Sequence, residues 1–343
     1  MIPHSLPTIN DRMVGAVVAS LRGGQVSMGP QVAAFEAAFT QKFGLEAAAV
    51  SSGTAALHLS LLALGVGAGD EVVLPTYVCT ALLNAVKYTG AAAVLTDVDL
   101  QDGNISASEV KKKLSRRTKA VLVPHMFGFP ADVKPLMALG VPVIEDCAQA
   151  IGARYGSKQV GTMGRINIFS FYATKMMTTG EGGMVVSADK KLMARVRDLL
   201  AYDHRALYRV RYNYKMTDMQ AALGYVQLGE LENFIERRRK IALFYHDRFK
   251  GAACTRPVEV ALMRSVYYRY VLRVKSVDKV MAAMAKKGVV CAKPLFRPLH
   301  RYLKFKGFPV ADQLMQESVS LPIYPALSDG QARRVADALV QII

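Results

Sequence analysis

The chain has 343 residues, 52% of them hydrophobic and 21% charged, an ordinary globular composition with apolar material for one large core or two domains. Four scattered cysteines, Cys79, Cys147, Cys254 and Cys291, have no metal-type spacing and give no sign of a disulfide framework; with no signal pattern in Met1-Ile2-Pro3-His4-Ser5, a reducing, cytoplasmic setting is expected. The net charge of +17 is spread over 111–117, 205–215, 237–240 and 297–306 without aromatic interleaving, so no nucleic-acid partner is expected and a minority of these charges is left for an anionic ligand.

Elements become legible from residue 47. Ala47–Val50 reads as a strand, Thr54–Leu64 as a helix closed by Gly65, and Glu71–Leu74 as a strand stopped by Pro75. The apolar run over 47–66 is broken by Ser51, Ser52, Gly53, Thr54, His58 and Ser60, so no membrane span is expected. A helix over Cys79–Tyr88 ends before Gly90, Ala93–Thr96 is a strand, and Ser106 caps a helix ending near Leu114. Ala120–Val123 is a strand, Pro135–Leu139 a short helix, and Val141–Ile144 a strand running directly into Glu145-Asp146. Ile166–Phe171 and Met184–Ser187 are two more strands. Helices follow over Lys190–Tyr202 and, with a bend, Asp218–Phe249. The last third has a strand over Tyr268–Val274, a helix over Val277–Lys286, a strand over Val289–Ala292 and a helix over Gln331–Ile342.

Continuous apolar strands separated by helices predict an α/β fold: a mainly parallel sheet in three layers, with helices on both faces. A smaller α+β domain follows. The expected division is 1–239 for the large domain, including an N-terminal arm, and 240–343 for the small one. Ligands in such sheets sit at the carboxyl ends of strands.

Three segments at strand ends carry chemistry. Ser52-Gly53-Thr54 opens a helix, whose unpaired N–H groups and positive dipole end make a phosphate seat. Asp146 ends an apolar strand, where its carboxylate can hold a proton on a pyridine nitrogen, with Gln149 three residues on. Lys175 lies in a polar turn between the strand carrying Ser170 and the glycine-rich Gly180-Glu181-Gly182-Gly183, where its amine can form a Schiff base. Taken singly, these are a helix cap, an N-cap and a solvated lysine. Together they are what pyridoxal 5′-phosphate (PLP) requires.

The chain also resembles the PLP-dependent, fold-type I DegT/DnrJ/EryC1/StrS family of sugar aminotransferases. The resemblance runs over nearly its whole length. It is carried by 24–30 (Gly-Gln-Val-Ser-Met-Gly-Pro), 52–57, 64–72, Pro130-Ala131-Asp132, 144–150, the Lys175 segment, 212–222 and Leu321-Pro322-Ile323-Tyr324-Pro325. The resemblance implies that Lys175 is the Schiff-base lysine and the proton carrier. It implies that Asp146 pairs with the pyridine nitrogen, that Gln149 contacts the ring region, and that Gly53, Thr54 and Ser170 hold the phosphate. Asn213 would reach the phosphate of a partner subunit, implying a homodimer with shared active sites. Two positions depart from the family. Cys79 stands where an aromatic ring usually covers the cofactor, leaving Tyr77 or looser packing to do so, and Phe129 stands where glutamine is frequent.

The function implied is transfer of an amino group from L-glutamate to C4 or C3 of a nucleotide-linked deoxy keto sugar, in amino-sugar biosynthesis for a surface polysaccharide or secondary metabolite. The basic 205–215 stretch would meet the diphosphate. A keto-cyclitol aminotransferase and a non-catalytic PLP-binding regulator are the alternatives. Lys175 argues against the related sugar dehydratases, which carry histidine there.

Overall fold

The computed structural model describes residues 1–203 and 205–343. Two helices open the chain, α1 (Asp11–Arg22) and α2 (Pro30–Phe43). The alternation then runs β1 (Glu46–Val50), α3 (Gly53–Ala63), β2 (Glu71–Pro75), α4 (Thr80–Tyr88), β3 (Ala92–Thr96), α5 (Ala107–Lys111), β4 (Thr118–Pro124), α6 (Val133–Met137) and β5 (Val143–Asp146). A small hairpin, β6 (Arg154–Tyr155) and β7 (Lys158–Gln159), precedes β8 (Ile166–Ser170) and β9 (Gly183–Ser187). Helices α7 (Lys190–Leu199), α8 (Asp218–Gly229) and α9 (Leu231–Arg248) lead to β10 (Met263–Arg264) and β11 (Tyr270–Arg273). The chain ends with α10 (Val277–Lys286), α11 (Leu299–Leu303), α12 (Pro309–Glu317), β12 (Ser318–Leu321) and α13 (Asp329–Val340).

Seven strands form one sheet in the order β1-β9-β8-β5-β4-β2-β3. β8, β5, β4, β2 and β3 pair in parallel, whereas β9 is antiparallel to both β1 and β8. The 171–182 connection contains no helix to carry the chain back across the sheet, so β9 returns antiparallel. The fold is therefore α/β with a mostly parallel sheet, as the sequence predicts.

Alternation along the strands explains the layers. Ala48 and Val50 of β1, Ile166 and Ile168 of β8 and Val185 of β9 pack in one cluster. Their neighbours Ala47, Ala49, Phe169, Met184 and Val186 pack in another. Helix α3 is apolar on nearly all sides and is buried in the first cluster. The second cluster is built on α2, where Phe35, Phe39 and Phe43 recur every four residues on one helix face. Phe39 stacks on Phe43 at 4.5 Å and meets Phe169 edge-on at 5.0 Å, while Phe35 lies 5.4 Å from Phe171. Asp218, at the start of α8, caps this helix: its carboxylate accepts from the N–H groups of Gly29 (2.8 Å), Gln31 (3.2 Å) and Val32 (3.0 Å).

Several expectations shift. The single bent helix over 218–249 is two helices meeting at Glu230. The strand expected at 289–292 is reduced to two isolated bridges, Ile2 with Val289 and Ala292 with Ser320, because its two ends find different partners. The C-terminal part has a two-stranded antiparallel sheet, β11 and β12, with α10 and α12 packed against it and α13 packed on α9 and α10. Helix α9 crosses residues 239 and 240 without a break.

Phe39→Ala removes the ring at the centre of the α2–β8 cluster. It is expected to lower stability by about 3–5 kcal/mol, read as a lower denaturant midpoint at unchanged slope.

Candidate active site

The carboxyl ends of the parallel strands share one edge of the sheet. There Ser52 caps α3, its Oγ accepting from Ala55 N–H at 3.0 Å, which leaves Gly53 and Thr54 in the first turn with N–H groups unpaired by the helix. Gly53 lies against β8: a Cβ on it would come within 2.7 Å of Ser170 Cβ and 3.0 Å of Ser170 Oγ. A Cβ on Gly183 would come within 2.6 Å of Ser52 O. Side-chain-free backbone at both positions thus keeps open a cradle around the helix start. Ser170 faces it because its neighbours Phe169 and Phe171 are buried on the opposite side of the pleat.

The same pleat separates Glu145 from Asp146 at the end of β5. Glu145 turns into the protein and accepts from Met163 N–H and Gly164 N–H at 2.7 Å each, from Gly161 N–H at 3.0 Å and from His125 Nε2 at 3.0 Å. The His125 tautomer is set by its other nitrogen, Nδ1, which accepts from Ala131 N–H at 2.9 Å. Burial alone would raise the Glu145 pKa. The hydrogen bond from His125 and those from the backbone N–H groups outweigh it and hold the carboxyl below its ordinary range.

Asp146 is buried yet less fully satisfied. Its Oδ1 accepts from Ala148 N–H at 3.0 Å, and Oδ2 has no hydrogen-bond partner among the described residues. Burial pushes its pKa up, and the Ala148 N–H and Lys175 only partly counter it. A cation placed against Oδ2 would complete this carboxylate.

Lys175 sits in a turn tied down on both sides. Its N–H donates to Tyr172 O at 2.9 Å, Thr179 N–H donates to Phe171 O at 2.9 Å, and Thr178 N–H donates to Gln227 Oε1 at 3.2 Å. Lys175 Nζ lies 5.4 Å from the centroid of the Tyr268 ring, and it makes no ion pair among the described residues. Tyr268 Oη is 3.3 Å from Thr174 Oγ1. Burial would raise the Tyr268 pKa, but Lys175, Arg269, the Thr174 hydroxyl and Arg238 outweigh it and lower it below the ordinary phenol value.

The structure thus brings Gly53, Thr54, Ser170, Asp146 and Lys175 to one edge. Gln149 joins indirectly: its Oε1 accepts from Phe127 N–H at 2.9 Å. Asn213 is exposed, on a segment whose backbone meets the end of β1 through Ser51 N–H and Tyr214 O (2.8 Å), and its side chain has no partner among the described residues. Tyr77 is fully buried, its ring edge-on to Phe127 at 6.3 Å, so it does not cover the cleft. Cys79 opens to solvent instead, at the head of α4. Protein crowding raises its thiol pKa, with Lys175 opposing and Asp146 adding to the shift. Phe129 is a core filler, edge-on to Tyr267 at 5.3 Å. Sequence reasoning missed Tyr268, which read only as part of a strand, and Arg238, hidden in a charge run. Its sole trace was the 3.6-residue period, which turns one of four consecutive cations inward.

These residues fit PLP: an anion seat held open by glycine, a buried carboxylate lacking a cation, and a lysine free of ion pairs. Among the described residues no helix is long and apolar enough to cross a membrane.

The sequence profile described as the DegT/DnrJ/EryC1/StrS aminotransferase family matches residues 7–340. A GDP-perosamine synthase of Escherichia coli O157:H7 is 36% identical over 337 residues, covering 91% of this chain and 90% of that protein. A UDP-N-acetyl-3-dehydro-alpha-D-glucosamine 3-aminotransferase of Acidithiobacillus ferrooxidans is 33% identical, covering 98% and 95%. The crystal structure of the aminotransferase TlmJ from Streptoalloteichus hindustanus superposes with a TM-score of 0.94 at 34% identity, covering 99% of this chain and 98% of that one.

Two outcomes follow from the geometry. Gly53→Ala should leave the far-ultraviolet dichroism unchanged and weaken PLP binding roughly tenfold or more, measured by equilibrium dialysis, because the new methyl overpacks against Ser170. Glu145→Gln should cost about 2–4 kcal/mol at pH 7 by removing a buried carboxylate held by four donors. A depressed folded-state pKa gives stability that is present above the unfolded value, about 4.3, and lost as pH falls through the folded one. The stability gap between wild type and Glu145→Gln should therefore narrow from pH 7 toward pH 3 in denaturant titrations.

Proposed function

We propose that this chain, which belongs to the DegT/DnrJ/EryC1/StrS aminotransferase family, moves an amino group from L-glutamate to a keto group at C3 or C4 of a nucleotide-linked deoxy sugar. The single observation that carries the chemistry is the meeting, at one sheet edge, of an incompletely satisfied buried Asp146 and a Lys175 with no ion pair among the described residues, beside the Gly53–Ser170 cradle. Relatives with the names GDP-perosamine synthase and UDP-N-acetyl-3-dehydro-alpha-D-glucosamine 3-aminotransferase support a nucleotide-sugar acceptor.

The cofactor, PLP, supplies a carbonyl that takes up the amine and a pyridine ring that withdraws electrons when protonated. The residues around it have separable tasks. The N–H groups of Gly53 and Thr54, with the hydroxyls of Thr54 and Ser170, would hold its phosphate at the positive end of α3. Asp146 would keep the ring nitrogen protonated, and the burial that raises the lone carboxyl makes that pairing favourable. Gln149 would line the ring region while its Oε1 braces Phe127. Lys175 Nζ would take the proton from the α-carbon of the donor and later deliver one to the sugar carbon that receives nitrogen. Cys79 would flank the ring where the family usually places an aromatic side chain, leaving one face less covered.

The reading extends to the assembly. Asn213, exposed and without a side-chain partner among the described residues, would reach the phosphate of a partner subunit in a homodimer with shared sites. The 205–215 loop would meet the diphosphate: Arg205, Arg209 and Arg211 converge on Asp198, so three cations share one carboxylate. The large unit is 1–239 and the small one 240–343, linked by α9. The enzyme works in the cytoplasm, and its amino-sugar product enters a surface polysaccharide or secondary metabolite.

The test is the visible absorbance of the PLP-loaded protein. L-Glutamate should convert the visible band of lysine-bound PLP to the pyridoxamine form, and a C3- or C4-keto nucleotide sugar should restore it; Lys175→Ala should do neither. Restoration by a keto-cyclitol alone would replace the sugar reading. A band that no amino donor alters would mean a binding protein rather than an enzyme.

A further inference from the structure

Helix α3, whose first turn opens the Gly53–Ser170 cradle, carries a second polar group one turn beyond Thr54. His58 is only 2% exposed, and three tyrosine rings stand edge-on to it: Tyr88 of α4 at 5.5 Å, Tyr212 at 4.8 Å and Tyr214 at 6.0 Å between ring centroids. Its Nδ1 is hydrogen-bonded to the Tyr214 hydroxyl at 3.2 Å, whereas its Nε2 is buried without a partner among the described residues. Burial lowers its pKa, so the ring is uncharged at neutral pH. A leucine would fill the same space without leaving a buried nitrogen unsatisfied, which is costly. What the imidazole adds is a directional hold on Tyr214.

That hold bears on the segment that carries Asn213. Tyr212 and Tyr214 stack on each other at 5.0 Å and both lie against His58, while Asn213 between them is exposed. The backbone here is tied on two sides. Tyr212 N–H and Tyr214 N–H donate to Leu199 O at 2.8 Å and Leu200 O at 3.0 Å at the end of α7, and Ser51 N–H donates to Tyr214 O at 2.8 Å. Lys215 then bridges antiparallel to Val50, the last residue of β1. Ion pairs hold the flanks, Arg211 with Asp198 at 3.0 Å and Lys215 with Asp203. Partly exposed pairs of this kind weaken with salt, whereas ring packing and a hydrogen bond on a buried side chain do not. The middle of the segment therefore rests on His58.

One helix thus serves two places. Its first turn presents the N–H groups that would hold the phosphate of its own subunit's cofactor, and its next turn grips the segment whose Asn213 would reach the phosphate of a partner subunit. Resting on the aminotransferase reading and its shared sites, we propose that His58 is a positioning residue for the partner subunit's cofactor phosphate: by seating Tyr212 and Tyr214 it fixes where Asn213 stands. Buried as it is, His58 acts on that phosphate only through the segment it holds.

PLP affinity, measured by equilibrium dialysis on the full chain, tests this through a double-mutant cycle. Asn213→Ala should weaken binding about tenfold, the usual effect of losing a hydrogen bond to a charged group. His58→Leu should weaken it by a similar factor, and the double variant no further than Asn213→Ala alone, because both changes remove one contact. His58→Asn, whose amide can take the place of Nδ1 toward Tyr214, should recover most of the loss. Should His58→Leu fold poorly, Tyr214→Phe takes its place in the cycle, since it removes only the hydroxyl. A merely structural histidine would lower the melting temperature and add its effect to that of Asn213→Ala. Additive losses, or unchanged affinity in a folded His58→Leu, overturn the proposal. Asn213→Ala without effect on PLP affinity removes the shared-site reading and the proposal with it. The absorbance response to L-glutamate is read separately: non-additive PLP binding with a band that no amino donor alters supports the positioning role and removes the aminotransferase reading.

Discussion

The pleat of the central sheet is the constraint on which the rest of this structure depends. In a strand, neighbouring side chains must point to opposite faces. At the end of β5 that rule sends Glu145 inward, to four donors, and leaves Asp146 on the cleft side with one. At the end of β8 it buries Phe169 and Phe171 against α2 and turns Ser170 toward Gly53. Two carboxylates adjacent in sequence therefore meet opposite environments. One anchors the strand so that the other can be held where its own desolvation is unfavourable.

That anchoring reaches further than the sheet. Phe35, Phe39 and Phe43 keep β8 in place from below, and α2 is itself held at its start by the Asp218 carboxylate of α8. Gln227, one helical face further along α8, accepts from Thr178 N–H in the turn that carries Lys175. A single helix thus fixes both the element under the Gly53–Ser170 contact and the turn bearing Lys175. Rigid support of this kind is what proton transfer between fixed atoms needs, because a misplacement of about 1 Å is costly.

Much of this was legible in the sequence, and the failures have physical causes. The strand ends at Val50, Asp146 and Ser170 were readable because apolar runs stop abruptly at polar residues there. The direction of β9 was not, since a strand's composition is the same whichever way it runs, and only the lack of a helix in 171–182 decides it. The helices before residue 47 were missed because α1 and much of α2 are partly exposed and carry mixed patterns, with the phenylalanine repeat diluted among alanines. Tyr77 against Cys79 was open in the sequence. Burial separates the two, since Tyr77 fills the core behind β2 and Cys79 caps α4.

The positive charge divides along the same physical line. In the run Arg237-Arg238-Arg239-Lys240, Arg237 pairs with Asp329 at 2.6 Å, Arg239 pairs with Glu259 at 2.5 Å, and Lys240 is 3.6 Å from Asp329. Partly exposed pairs of this kind contribute little, because water screens them and holding two long side chains costs entropy. Arg238 differs from its neighbours only by its place on the helix, about 100° from each, and that rotation carries it out of solvent. An overall excess of +17 says nothing about which cations matter. The informative ones are those that the fold has deprived of both water and carboxylate, because an anion arriving there meets a charge already stripped of competing solvent.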